Sequence, residues 1–578
     1  MADDGERAVA GAIVTKPRGW LAAFGLILIL AGAWLASAIQ TSGGISVSDI
    51  RFRGASGTKM SATLYVPPGI DAQHPAPGIL AVHGYINSRE TQDAFAIEFA
   101  RRGYVVLALD QTGHGASGGK AFANWFGGPD GLAYLRSLPF VDRNQIGLEG
   151  HSMGGWTVLA AAAAMPDAYR SIVLEGSSTG APFAKDGDPT WPRNLALVYS
   201  RYDEFSKLMW NSDRAIDVPN SAKLRAVFGT AAPIITGQIY GSVDTGTARV
   251  LYQPNTTHPG DHISRVAIGH ALDWFATTLK GGRPLPTDDQ IWYWKEFGTG
   301  IGLIGFVALI AAAFDLLSRS GAFHTARGVA VAGAAVRDAR WRRGLLLTTI
   351  VPALLFFPAF IAGALGVPPF VLLPQGITNQ VVLWALLSGA AGLALARFGP
   401  PLPPRIETPW LLAIGLAVAT VAIGYAVLII FDRLFLTDLR FWVIGLRVPT
   451  PRQALISCIY VGPFTLAFAW SLGGLRRFAI VGESRVAAYG TAAAASALGI
   501  TLMLAIIYGL FFATGTLVTG FDPLSTVVAL QFVPILIVVA LLATFAWRRT
   551  GSYRPGAVLV GLLVTLYVCA GTATHAWN

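Results

Sequence analysis

The chain has 578 residues, of which 53% are hydrophobic and 13% charged, and its formal net charge is +10. Soluble proteins carry roughly 25% charged residues, so the composition excludes an ordinary soluble protein, and the length exceeds one domain. The positive charge does not read as a nucleic-acid surface: six arginines from Arg319 to Arg343 lie between two apolar runs, as in the cytoplasmic loops of membrane proteins.

In chain order, residues 19–39 come first, nearly uncharged and long enough to span a bilayer, which takes roughly 20 residues. Lys16 and Arg18 precede them, and the run reads as a retained anchor rather than a cleaved signal. Residues 45–285 change character, with short strand-like and helix-like segments alternating between Gly, Pro and Asp. Strands are predicted at 46–53, 59–67, 78–83, 104–109, 145–149, 171–175, 195–200 and 248–253. Helices are predicted at 92–102, 129–138, 153–164 and 264–279. This alternation implies a mostly parallel sheet flanked by helices. Beyond residue 297, long apolar runs predict eight further spans: 298–317, 344–365, 379–398, 409–431, 454–474, 487–516, 525–547 and 556–574. The 487–516 run is long enough to require tilt or a kink.

The expected organisation is therefore a tail and anchor (1–44), an α/β domain (45–285) and an all-α transmembrane bundle (286–578). With the N-terminus inside, the Arg-rich loops at 318–343, 397–408, 475–486 and 548–555 all fall on the cytoplasmic side. The opposite loops at 366–378 and 517–524 carry no Lys or Arg. One loop dissents: 432–453 holds Arg433, Arg440, Arg447 and Arg452, and its middle reads as an amphipathic helix at the interface. The charge count places residues 45–285 outside the cytoplasm of a bacterial plasma (inner) membrane. Cys458 and Cys569 both lie inside apolar runs, so neither a disulfide framework nor a cysteine metal site is expected.

The chemistry centres on "QIGLEGHSMGGWTVLAAAAAM" at 145–165, where a buried-strand pattern gives way to a helical one. A serine between Gly150 and Gly154 at that turn lifts its hydroxyl clear of the sheet, above a helix N-terminus that favours developing negative charge. A lone G-x-S-x-G says little in a chain with 65 glycines; the strand before it and the helix after it give it weight. Such a serine needs a base. "GILAVHGY" ends a strand at His83-Gly84-Tyr85, and the backbone N–H groups of Tyr85 and Met153 form a candidate oxyanion hole, with His83 structural. "LALVYSRYDEF" carries Asp203 at a strand exit as the expected orienting acid, with Glu175 and Glu204 as rivals. "RVLYQPNTTHPGDHIS" offers His258 as the expected base and His262 as the alternative. His270 reads as a packed or surface residue. With a serine turn available, a zinc reading of His258, Asp261 and His262 is unnecessary, and no metal or organic cofactor is expected. The segments 177–194 and 204–247 read as a lid or as connecting loops.

The order Ser152, Asp203, His258 and the stretches "HGY", "LDQTGHGASGG", "GHSMGG", "YSRYDEF" and "NTTHPGDH" resemble an α/β-hydrolase of the dienelactone-hydrolase and serine-peptidase-like branch. The resemblance covers about 240 residues and leaves the apolar half without a recognised family. It implies an α/β-hydrolase fold and a membrane-anchored serine hydrolase that cleaves acyl esters, with lipids or envelope components as substrates and membrane lipids around it. An acyltransferase or peptidase with the same triad, or a transporter or sensor with a ligand-binding hydrolase-like domain, are the alternatives. Ionisable residues are scarce within the predicted spans, which argues against a proton pump.

Overall fold

A computed structural model describes residues 19–404 and 407–577. Lys16, Arg18 and Arg405, which enter the charge reading, lie outside the described residues. The first long helix, α1 (Gly19–Gln40), leads into an eight-stranded sheet. Its elements are β1 (Ser46–Arg53), β2 (Lys59–Val66), β3 (Ala76–Val82), α2 (Asp93–Arg101), β4 (Val105–Asp110), α3 (Gly128–Ser137), β5 (Val141–His151), α4 (Met153–Ala164), β6 (Ser171–Glu175), β7 (Leu195–Val198), α5 (Ser206–Trp210), α6 (Ala222–Phe228), β8 (Arg249–Tyr252) and α7 (Arg265–Thr278). The strand order is β1-β2-β4-β3-β5-β6-β7-β8. Pairing is antiparallel from β1 through β4 and parallel from there on, so the sheet is mostly parallel.

The uniform burial of the inner strands follows from helices on both faces. Along β3, Ile79 and Ala81 pack with Phe95 and Phe99 of α2 and Phe275 of α7. The alternate residues Leu80 and Val82 pack with Leu132 of α3 and Val158 and Leu159 of α4. That is the period of two expected of a strand. Each fully buried Leu, Ile or Val contributes roughly 1.5–3 kcal/mol against exposure. The chain runs from β3 to β4 on one side and then to β5 on the other, so the order reverses between β3 and β5. Sites in open α/β sheets form at such a switch point, beyond the carboxyl ends of the strands.

The remaining elements are α8 (Trp292–Leu317), α9 (Ala339–Leu354), α10 (Phe356–Gly366), α11 (Gly376–Ala394), α12 (Trp410–Phe435), β9 (Leu439–Phe441), β10 (Ile444–Leu446), α13 (Pro451–Leu475), α14 (Arg485–Ala493), α15 (Gly499–Thr514), α16 (Pro523–Thr550) and α17 (Arg554–Gly571). Among the described residues, nine helical stretches are long and apolar enough to cross a membrane. A π-helical stretch, Ala494–Leu498, interrupts the longest of them between α14 and α15. Helices α1 and α8 meet through glycines: a Cβ on Gly25 would lie 2.8 Å from the Gly305 carbonyl oxygen, and one on Gly298 2.7 Å from that of Gly32. Small residues permit this backbone approach, on which helix association in lipid depends.

One end of the bundle carries the α/β domain. Gln453 at the start of α13 donates to the Gly115 carbonyl, and Tyr508 of α15 donates to Glu204. After α17, the Thr574 amide donates to the Gly113 carbonyl while the Ala121 amide donates to Thr574. The 432–453 loop corrects the sequence reading. It forms the β9–β10 hairpin rather than an interfacial helix, and its Arg440 and Arg447 are buried. Arg440 pairs with Asp438 at 2.9 Å, and Arg447 lies 3.6 Å from Glu90 of the α/β domain. Alternating apolar and basic residues fit a buried hairpin as well as a helix, once distant carboxylates neutralise the arginines.

Candidate active site

Ser152 occupies the turn between β5 and α4 with φ 55° and ψ −121°. A non-glycine residue at positive φ is strained, and such strain gathers at functional turns. The flanking glycines are obligatory. A Cβ on Gly150 would collide with the Gly154 carbonyl, and one on Gly154 with the Val82 carbonyl of β3. The Ser152 amide donates to the Glu175 carbonyl at 2.7 Å, which ties the turn to the neighbouring strand. Met153 is the first residue of α4, where N–H groups lack intrahelical acceptors. Gly84 brings the "HGY" loop against the turn, since a Cβ there would sit 3.1 Å from the Ser152 Cβ.

Asp203 and His258, 55 residues apart, meet at 2.8 Å between Oδ2 and Nδ1. The other Asp203 oxygen accepts from the Tyr199 hydroxyl at 3.1 Å and the Phe205 amide at 2.8 Å. The pair lies beside Gly176, which follows β6: a Cβ there would come within 2.7 Å of His258 Nδ1. Burial pulls the His258 pKa down, but the charge and hydrogen bond of Asp203, with the charges of Glu204 and Asp261, outweigh it, and the net shift is upward. His262 is placed differently. Its ring lies 4.0 Å from that of His151 and tilted to it by 48°, its Nδ1 has no hydrogen-bond partner among the described residues, and burial takes its pKa down to about 3.

The rival acids have other surroundings. Glu175 is fully buried, both its carboxylate oxygens lack hydrogen-bond partners among the described residues, and burial raises its pKa well above the usual range. Glu204 accepts the His258 backbone N–H at 2.8 Å and the Tyr508 hydroxyl at 2.8 Å, and burial together with the Asp203 charge raises it to about 7. His83 is buried, with its Nδ1 2.7 Å from the Gly84 carbonyl and its Nε2 accepting from the Gln111 amide. Burial lowers His83 to about 4.

Several neighbours of the site come from the apolar half, and local sequence gave no sign of them. Trp442 of the hairpin donates through Nε1 to the Pro259 carbonyl, next to His258. Tyr202 packs edge-on against Phe511 and Phe512 of α15. His575, beyond α17, lies 2.9 Å from the Tyr85 hydroxyl. Tyr85 also stacks on Phe122, which in turn stacks on Phe183 of the 177–194 segment. That segment and the 204–247 segment are packed against their surroundings: Trp210 donates to the Ser177 carbonyl, and Leu524 and Val527 of α16 join the core beneath them.

Residues 73–202 match the family model described as serine aminopeptidase, S33. The match includes Tyr85, Ser152 and Met153 and stops one residue before Asp203. A monoacylglycerol lipase of Mycolicibacterium smegmatis is 30% identical over 149 residues, covering 23% of this chain and 48% of the relative. The chain thus spans about half the length of the curated relative it matches. Among solved structures, an esterase of Pyrococcus furiosus is 19% identical, with 41% of this chain and 94% of that chain covered and a TM-score of 0.30. An epoxide hydrolase from an endophytic Streptomyces is 19% identical, with 24% and 39% covered and a TM-score of 0.19.

Proposed function

This chain carries an α/β-hydrolase domain joined to a bundle of long apolar helices, and we propose that it is a membrane-embedded serine hydrolase of esters with long acyl chains. The domain is assigned to residues 45–285, on the outer side of a bacterial plasma membrane, and the bundle to 286–578. The observation that carries the reading is the 2.8 Å contact of His258 with Asp203, taken together with the separate Ser152 turn at φ 55° between obligatory glycines.

In this reading the Ser152 Oγ attacks the ester carbonyl while His258 Nε2 takes its proton. Asp203 holds the Nδ1–H side of the ring and stabilises the imidazolium. The carbonyl oxygen, now an anion, rests on the N–H groups of Tyr85 and Met153. His258 passes its proton to the leaving alcohol, and the acyl-enzyme remains. Water then gives a proton to His258, attacks the acyl carbon and releases the acid, and the proton returns to Ser152. The name of the matched lipase, the apolar surroundings and the aromatic stack of Tyr85, Phe122 and Phe183 support a hydrocarbon-bearing substrate. The description of the matched family favours a second reading, hydrolysis of an aminoacyl amide by the same triad.

A fluorophosphonate probe is expected to label the purified full-length protein at Ser152, and Ser152→Ala to abolish both labelling and turnover of p-nitrophenyl esters. Undiminished labelling of that variant removes the nucleophile assignment. Faster cleavage of aminoacyl p-nitroanilides than of esters selects the peptidase reading.

A further inference from the structure

Of the two candidate oxyanion donors, Met153 is fixed by α4, whereas Tyr85 lies in a loop. That loop is strained at its next residue: Ile86 has φ 55°, an outlying conformation for a β-branched side chain. The segment whose ring stacks on Tyr85 is strained as well, with Phe122 at φ 70°. Such conformations persist only where the surroundings over-determine them.

Part of what holds them comes from beyond α17. Gln375, just before α11, donates through its side-chain amide to the Cys569 and Thr572 carbonyls and to the Thr574 hydroxyl. The bundle thereby fixes the chain as it leaves its last helix. Thr574 then bridges to the α/β domain. Its amide donates to the Gly113 carbonyl at 2.9 Å, and its carbonyl accepts from the Ala121 amide at 2.8 Å. Gly113 makes room for this pairing, since a Cβ there would lie 2.7 Å from the Thr574 carbonyl oxygen. One residue on, the His575 amide donates to the Pro374 carbonyl at 2.8 Å, and its ring reaches the loops around the serine. The His575 Nε2 lies 2.9 Å from the Tyr85 hydroxyl. Its ring is 5.3 Å from that of Phe122, which is 5.6 Å from that of Tyr85. Burial lowers the His575 pKa to about 4 and raises that of the Tyr85 hydroxyl, so both groups are uncharged at neutral pH. The hydrogen bond between them is directional and fixes the end of the Tyr85 ring, which stacking on Phe122 alone does not.

We propose that His575 is a positioning residue of the hydrolase site. By holding the Tyr85 side chain, the segment after the last helix of the bundle fixes the Tyr85 N–H where the oxyanion of the tetrahedral intermediate forms. The membrane half then completes the site and does more than anchor it. This rests on the hydrolase reading above and deepens it.

The test uses the full-length protein in detergent and p-nitrophenyl esters. Loss of an oxyanion donor costs about 10²–10³ in kcat, and a loosened one is expected to cost about tenfold. His575→Phe keeps a ring against Phe122 and loses the hydrogen bond. It is expected to lower kcat about tenfold while KM changes about twofold or less, because the donor acts on the transition state rather than on bound substrate. His575→Gln, whose side-chain amide reaches the place of Nε2, should recover about half of the native kcat or more, as a replaced hydrogen bond predicts. Tyr85→Phe removes the same bond from the other side and keeps the backbone N–H. It is expected to match His575→Phe, and the double variant to be no slower than either. The acid limb of kcat/KM should stay in place in all of them. Native kcat in His575→Phe overturns the proposal, as do a loss confined to KM and losses that multiply in the double variant. Should His575→Phe fail to fold, Tyr85→Phe decides: native kcat there overturns the proposal. Failure of the hydrolase reading looks different, for then the native chain itself turns over no ester and takes no fluorophosphonate, which ends both.

Discussion

The imidazole of His258 feels two opposed forces, and their balance sets a pH dependence. Burial favours the neutral ring, while the Asp203 carboxylate at 2.8 Å, aided by the charges of Glu204 and Asp261, favours the charged one, and the balance lifts the pKa above the ordinary 6.5. In the proposed mechanism the neutral ring is the base, so kcat/KM is expected to fall as pH drops through a value above 6.5. Asp203→Asn removes the largest opposition to burial and leaves only the more distant charges of Glu204 and Asp261. The acid limb is expected to move to lower pH, and the plateau to fall by about the four orders of magnitude that the equivalent change costs in a serine-protease triad. A limb that stays in place while the plateau falls assigns the orienting role to another carboxylate, Glu204 first. His258→Ala is expected to cost orders of magnitude in ester turnover and His262→Ala tenfold or less, because His262 faces the His151 ring rather than an acid; the reverse ranking exchanges their roles. The meeting of Asp203 with His258 was legible in the sequence because each follows the end of a strand, and strand ends converge in a parallel sheet. That Asp203 rather than Glu204 or Glu175 faces the His258 ring was not, since all three are acids at strand exits.

Elements with a local signature were legible too, and those held by distant partners were not. Strands β1, β2 and β6 and helix α4 lie within a residue of their expected limits, since period-2 or period-3.6 burial is written in neighbouring residues. The hairpin at 439–446 was not legible, because Glu90, which faces Arg447, is more than 350 residues away. Nor was the joint between α1 and α8, although its glycines were in view. Gly25 and Gly32 face Gly298, Gly302 and Gly305 so closely that a Cβ on Gly32 would collide with the Gly298 carbonyl. Gly32→Leu must therefore push two backbones apart, which costs about 1–3 kcal/mol when a packed interface is overfilled. The variant is expected to melt several degrees lower in detergent. Gly509→Leu, where an added Cβ meets nothing within 4 Å, serves as the control and should melt like the native protein. Equal melting of all three would mean that α1 is not held by this glycine face.

At the scale of the molecule, the bundle ends that touch the α/β domain follow one another with the regularity of a chain crossing back and forth. The end of α12 meets α1 through Gln40, Gln453 opens α13, Tyr508 lies near the end of α15, and Thr574 follows α17, all on the side of the α/β domain. The opposite ends meet one another: buried Asp315 at the end of α8 pairs with Arg549 at the end of α16 at 2.8 Å. The charge reading places that second end in the cytoplasm, and its one dissenting loop loses force in the structure. Arg440 and Arg447 are buried against Asp438 and Glu90, so they are not the free basic residues whose excess orients a span. Arg433 and Arg452 remain as the dissenting charges of that loop. This placement makes a sharp prediction for a cysteine-free background, Cys458→Ala with Cys569→Ala. A single cysteine at the exposed Asp244 of the α/β domain is expected to react with a membrane-impermeant maleimide in intact spheroplasts. One at Gly321, in the turn after α8, is expected to react only after permeabilisation. The opposite pattern inverts the protein and puts Ser152 in the cytoplasm.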